Sequence, residues 1–276
     1  MIWAWIGAAA VGLSLGLLGS GGAILTVPIL VYVVGHGEKS AIAESLAIVG
    51  AIACLGAVRA ARAHAVDVRS ALLLALPGII GTAAGTRVSM GISGALQLAL
   101  LALLMCVAAV LMFRGGAAPA QQASDDGAAV GRGIGSAWIV LLQGLALGFI
   151  TGLVGIGGGF LIVPMLVLIR RLPMHRAVGT SLAVITINSV SGFLQILLFK
   201  GVASDGASTD RVAAGTGTEM IILDWQTIGV FAVIGCIASI VGNALGSRIP
   251  AMALRRVFAA GLLLMAGFIL TRSAFG

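Results

Sequence analysis

Charge is scarce in this chain. Only 9% of its 276 residues are Asp, Glu, Lys or Arg, while 60% are hydrophobic. Soluble domains carry roughly 25% charged residues, so a soluble globular enzyme or binding domain is excluded. Aromatic residues make up 5%, with Tyr32 the single tyrosine, and no basic run is interleaved with aromatics. The net charge of +7 therefore does not mark a nucleic-acid partner. In a membrane protein, basic residues gather in cytoplasmic loops. Cysteine is sparse too: Cys54, Cys106 and Cys236 sit far apart inside apolar runs, with no CxxC or Cys/His pairing. They read as small packing residues, not as disulfides or metal ligands. No Walker motif occurs, so ATP does not drive this chain from within. No cofactor-binding pattern is present, and no intramembrane carboxylate cluster stands ready for a metal.

What the chain does have is long apolar sequence. Stretches run approximately 2–34, 41–58, 70–88, 94–113, 136–169, 177–199, 225–247 and 253–271, separated by polar punctuation. About 20 residues cross a ~30 Å hydrocarbon core. A β-barrel would instead show ~10-residue alternating segments. The expected fold is an all-α polytopic membrane protein. The start, Met1-Ile2-Trp3-Ala4-Trp5, lacks the positive region of a signal peptide and reads as the first membrane element. Trp3 and Trp5 suit an interfacial belt.

Two of these stretches, the first and the fifth, are too long for one crossing, and both are broken by glycine. Gly19-Ser20-Gly21-Gly22 leads to Pro28, and 136 residues later Gly155-Ile156-Gly157-Gly158-Gly159 leads to Pro164. From Gly16 to Ala47 the chain aligns without a gap to Gly152 to Ala183, with 14 of 32 positions identical. A second piece, at a separation of 161, pairs Gly81-x-x-x-Gly85-Thr86-Arg87 with Gly242-x-x-x-Gly246-Ser247-Arg248. The expected organisation is a first transmembrane repeat over 1–113, a flexible linker over 114–135 and a second repeat over 136–276. The polar segment 200–224 reads as a mobile loop.

Charge counts bear on the relation of the halves. If each long stretch crosses once, Lys and Arg divide evenly between the two sides. If each goes in and returns as a broken hairpin, the loops at 59–69, 114–135, 170–176 and 248–256 share one side with 11 of the 16 basic residues. The second arrangement obeys the positive-inside rule. It gives each half an odd number of crossings, a broken hairpin plus three helices, and so inverts one half relative to the other.

Glycine breaks at bilayer depth leave backbone N–H and C=O groups without helix partners, which lipid does not satisfy. A half-helix beginning at such a break presents free N–H groups and a partial positive charge, a setting that binds anions. Gly19, Ser20, Gly21 and Gly22, with Gly155, Gly157, Gly158 and Gly159, are therefore candidate substrate contacts, and the expectation is that the two breaks face each other near the midplane. The alternative is that they only allow close helix packing, as Gly81/Gly85 and Gly144/Gly148 are expected to do. Pro28 and Pro164 free a carbonyl a turn earlier, as a half-helix bend or a plain kink would.

The matched Ser45/Ser181, together with Asn188 and Gln195, are further candidates for solute contact, or else hydrogen-bond between helices or to their own backbone. Glu44, the one acid well inside an apolar run, suits proton coupling or an interfacial position. Arg87 and Arg248 suit attraction of an anion to each vestibule, gating, or snorkelling at helix ends.

The pattern Gly-x-x-Gly-x-Gly-Gly-x-x-x-x-Val-Pro, at Gly16 to Pro28 and Gly152 to Pro164, resembles that of the sulfite exporter TauE/SafE family of membrane permeases. Gly179-Thr180-Ser181-Leu182, facing Ala43-Glu44-Ser45-Leu46 in the first half, and the Gly-x-x-x-Gly-x-Arg pieces add to it. The resemblance implies a multi-pass carrier in the bacterial inner membrane, exporting sulfite or a related small sulfur-containing anion or organosulfonate. Its partners would be that anion and the lipid bilayer; the oligomeric state stays open. An anion channel or a membrane sensor subunit is the alternative. An intramembrane enzyme is a weaker one, because a Ser20 nucleophile needs a base and His36, His64 and His175 all fall in loops.

Overall fold

In a computed structural model of the chain, the described residues are 2–18, 21–114, 134–155, 162–163, 166, 172, 174–199, 203–204, 222–246, 260–269 and 271. They are almost entirely helical, one of the two ways a backbone satisfies its own polar groups in lipid. The elements are α1 (Ile2–Leu18), a returning arm (Gly21–Val34) that contains α2 (Thr26–Ile29), α3 (Glu38–Arg62), α4 (Val68–Gly91), α5 (Gly94–Arg114) and α6 (Ile134–Val154). They continue with α7 (Met174–Phe199), a two-residue parallel pairing of β1 (Ala203–Ser204) with β2 (Ile222–Leu223), α8 (Trp225–Gly246) and α9 (Ala260–Ile269). Among the described residues, four helices are long and apolar enough to cross a membrane: Glu38–Arg62, Val68–Ser89, Arg176–Leu198 and Trp225–Leu245.

The first apolar stretch is not one span. Gly22 packs on Ser14 and Leu15, and Gly7 packs on Ile29, so the arm after the break runs back along α1. The arm tightens and then loosens as it goes: a 3-10 turn over Gly21–Leu25, α-helix over Thr26–Ile29, π-helix over Leu30–Val34. Pro28 contributes to this uneven winding because it has no N–H to give to the preceding turn. Gly35, at φ +87, stops the arm, and the His36 N–H closes on the Leu30 carbonyl at 3.0 Å. The Leu172 N–H makes the matching bond to the Leu166 carbonyl at 3.3 Å, 136 residues on.

Helix directions follow from close backbone contacts at glycine. Gly12 meets Gly235, Gly16 meets Ser239, and Gly242 meets Leu13 and Leu17, so α1 and α8 run parallel. Gly148 meets Gly78, Gly152 meets Thr82, and Gly85 meets Phe149 and Leu153, so α6 and α4 also run parallel. By contrast Gly50 faces Ser189, Gly56 faces Leu182 and Gly179 faces Ala60, which makes α3 and α7 antiparallel. These small-residue seams let backbones approach without a hydrophobic driving force between helices. Gly81 and Gly144 lie in the α4–α6 seam, as the packing alternative for them predicted.

The two sets of contacts map onto each other. Residues of α1 and α3 match residues of α6 and α7 at a separation of 136. Gly78, Thr82 and Gly85 match Gly235, Ser239 and Gly242 at 157, not 161. The difference is one helical turn: a Gly-x-x-x-Gly seam repeats every four residues and so aligns with itself one turn out of register. Arg87 is consequently matched by Ala244, and not by Arg248, which lies outside the described residues.

α3 stands at the centre, with Leu46, Ile48, Val49, Ile52 and Ala53 all buried. Outward faces of the surrounding helices carry exposed Leu76, Ile80, Leu142, Leu198, Val233 and Leu264, as suits contact with acyl chains.

Candidate functional site

Midway along α3, at Gly50, α7 crosses with Asn188 and Ser189 turned into the protein. Both are 0% exposed, and neither the Asn188 amide atoms nor the Ser189 hydroxyl has a hydrogen-bond partner. The Asn188 side chain lies against Gly78 of α4, where an added Cβ would come within 2.6 Å of Oδ1. Leaving such groups unpaired costs roughly 1–3 kcal/mol each, so each calls for a reason. The matched positions in α3 are Ile52 and Ala53, which are apolar, so the polar centre comes from one half alone.

A second polar group closes the N-terminal end of α3. Glu44 is 0% exposed, in the second turn of the helix. Its Oε2 lies 2.6 Å from His36 Nδ1, and its Oε1 accepts the Asp224 N–H at 3.1 Å. Asp224 caps α8 by accepting from the N–H groups of Gln226 and Thr227 at 2.9 and 3.1 Å and from the Thr227 hydroxyl. Burial alone would raise the Asp224 carboxyl, but these hydrogen bonds and nearby His36 outweigh it and hold its pKa below the usual aspartate value.

The opposite end repeats the geometry with the charge removed. Thr180 stands where Glu44 does and accepts the Asp67 N–H at 2.9 Å, while Ser70 donates to Asp67 as Thr227 does to Asp224. Leu172 takes the place of His36. Around this end lie exposed Arg59, Arg62, Arg69 and Arg176.

The described part of the second glycine break touches the Glu44 end. Gly155, at φ +76, packs on Ile42, and the Ser45 hydroxyl lies 2.7 Å from both the Gly155 and Ile42 carbonyls. The Ser45 proton is thus engaged by the protein backbone, leaving its lone pairs. The first break reaches the other way. Gly235 touches both Gly12 and Ile52, so α1 at Leu15, where Gly22 packs, lies near the level of α3 residue 55. At 1.5 Å per residue the two breaks are roughly 15–20 Å apart along the helix axes. They do not face each other at the midplane. The first arm runs from its break back to His36 at the Glu44 end. Asn188 and Ser189, level with Gly50, lie between Gly155 and Gly22 along that axis.

Of the other sequence candidates, Ser181 is buried and donates to its own Val178 carbonyl at 2.8 Å. Gln195 donates to Ser191 at 3.0 Å, two turns from Asn188. Pro28 is buried in α2, and Arg87 is exposed near the end of α4. Gly21 and Gly22 open the returning arm. Gly19, Ser20, Gly157, Gly158, Gly159, Pro164 and Arg248 lie outside the described residues, as do the linker over 115–133 and residues 205–221 of the expected mobile loop.

The structure adds residues that sequence reasoning missed. Thr26, fully buried with an unpaired hydroxyl, sits where the arm passes from 3-10 to α winding. Its match in the second half is Ile162, so no polar pairing marks it in the sequence. His36 and Asp224 come from loops far apart in sequence.

A polar centre enclosed by spanning helices, with a folded-back arm beside it, defines the class: a multi-pass membrane transporter. The chain belongs to the sulfite exporter TauE/SafE family, whose description matches residues 4–269. It is 34% identical over 266 residues to a probable membrane transporter protein of Xylella fastidiosa strain 9a5c, covering 95% of this chain and 92% of that one. A probable membrane transporter protein of Methanocaldococcus jannaschii is 26% identical over 197 residues, 68% of this chain and 70% of its own. No solved structure matches the chain.

Proposed function

We propose that the chain is a secondary carrier that exports sulfite or a related small sulfur oxyanion across a bacterial inner membrane by alternating access. The carrying observation is the buried, unpaired Asn188/Ser189 group midway along α3, between the two glycine breaks. The Asn188 amide and Ser189 hydroxyl supply up to three donors without a charge. Neutral donors in a dry centre suit an oxyanion that must bind and still leave. The Thr26 hydroxyl, at the start of a short helical segment, is a further donor on the path.

The two halves act as inverted repeats. Antiparallel α3 and α7, matched at 136, support that reading, as do the four exposed arginines gathered at the C-terminal end of α3. In this scheme the Ser45–Gly155 contact closes one gate, on the outer side. The first arm closes the other, beside Thr180 and Ser181. Rocking of one repeat against the other opens them in turn.

Purified protein in liposomes tests this with labelled sulfite and sulfoacetate. Saturable flux, accelerated by the same anion on the far side, is expected. Unsaturable conductance would make it a channel, and an absence of flux with either anion would remove the transport reading. Cysteines placed at Ala65 and Ser93 in a background lacking the three native cysteines should label from opposite sides. Labelling from one side would end the topology.

A further inference from the structure

We propose that His36 is a proton relay to Glu44, making the carrier proton-coupled at one end only. This rests on the transport reading above.

The geometry is that of a wire with a wet end and a dry end. Asp224 is 31% exposed, His36 is 20% exposed and Glu44 is 0% exposed. One ring nitrogen of His36 faces each carboxylate: Nε2 lies 3.9 Å from Asp224 Oδ2, and Nδ1 lies 2.6 Å from Glu44 Oε2. A proton arriving from water by way of Asp224 attaches to Nε2, and the Nδ1 proton passes to Glu44. The products are a neutral imidazole of the other tautomer and a neutral carboxylic acid, still hydrogen-bonded to each other. Among the described residues, His36 and Asp224 are the titratable groups that interact with the Glu44 carboxyl. Glu38 and Lys39 occupy the first turn of α3 itself.

Position turns this proton into a coupling device. Glu44 joins three parts: α3, the loop that ends the returning arm, and the start of α8. Its sequence neighbour Ser45 touches the Gly155 break, the proposed gate at that end. Charging or neutralising Glu44 therefore acts directly on whether that gate holds. At the other end Thr180 accepts the matching backbone N–H, from Asp67, and Leu172 stands where His36 does, so neither matched side chain carries a proton relay. The repeat has kept the hydrogen bond in both halves and a protonatable relay in one.

The test uses the whole protein in liposomes with sulfoacetate, whose acidic groups are fully ionised at pH 7, and a lumenal pH dye. Wild type should move protons with the anion, and its rate should respond to pH on one face of the membrane only. Glu44→Gln should keep anion-for-anion exchange while coupled proton movement falls by about a hundredfold, the lower range for losing a positioned acid–base group. His36→Gln, in a loop outside the helical packing, should slow proton movement and leave Glu44 in place. If sulfoacetate moves with no dye signal, or Glu44→Gln still moves protons, the relay is wrong while the carrier stands. If no anion moves in wild type, the transport reading fails and the relay with it.

Discussion

The hydroxyl of Ser45 and the carbonyl of Gly155 meet at 2.7 Å across 110 residues of chain. One belongs to the central helix α3, the other to the last turn before the second glycine break. The first half thereby holds the tip of the second.

Disturbing either partner should loosen that tip. Ser45→Ala removes one hydrogen bond, worth about 1 kcal/mol. Gly155→Ala forces a side chain onto φ +76 and places its Cβ 2.9 Å from the Ile42 carbonyl. That should cost about 1–3 kcal/mol, the usual range for such backbone strain. Thermal unfolding in detergent reads both. A Gly155→Ala variant as stable as wild type would remove the contact.

Asn188→Leu separates function from stability. It replaces an unpaired buried amide with an apolar side chain of similar size. The melting temperature should hold or rise, since relief of an unsatisfied polar group is worth about 1–3 kcal/mol. Anion flux should disappear. Intact flux would exclude Asn188 from the solute path.

The α4–α6 seam gives a contrast between glycines. Gly148→Val drives a branched side chain into the Gly78 backbone and should abolish stable protein. Gly229 of α8 has nothing within 4 Å of an added Cβ. Gly229→Ala should be neutral or stabilise by up to about 1 kcal/mol through helix propensity. Monodispersity on size exclusion distinguishes them.

Asp224 predicts an acid limb. Its folded pKa lies below its unfolded value, so the stability it contributes is complete above about pH 4, the ordinary aspartate range. That stability is lost as pH falls through the folded value. Asp224→Asn keeps a helix cap and should flatten the decline of stability below pH 4. Asp224→Ala should cost about 1 kcal/mol near neutral pH as well. An unchanged acid limb in Asp224→Asn would mean that other carboxylates set it.

The helical, membrane-spanning character was legible from apolar length, and the first doubled stretch from its break at Gly21-Gly22. The depth of the breaks was present in the sequence but is easily misread. α1 has 17 residues, about 25 Å of helix at 1.5 Å each, which already passes the middle of a ~30 Å core. The register of α4 against α8 was not legible, because glycines four residues apart look alike after a slip of one turn. Asp67 and Asp224, at the helix starts, fix it. Glu44 is legible as an acid close to a loop, but not the way that loop and the start of α8 fold over it. No local pattern announces such a contact, made across 180 residues. Asn188 was legible as a polar residue in an apolar helix; Thr26 was not, because its matched residue is Ile162.

The parallel seam between α1 and α8 also sets a schedule for biosynthesis. α1 is made before α8, and its glycine-lined partner face begins only at Trp225. A ribosome adding about 5–20 residues per second needs roughly 10–40 s to reach that point. For that time the newborn helix stands in the bilayer, or in the hands of the insertion machinery, with its best docking face open. α4 waits far less for α6. Truncated chains that end before α8 should therefore be the forms that cellular quality control recognises and destroys.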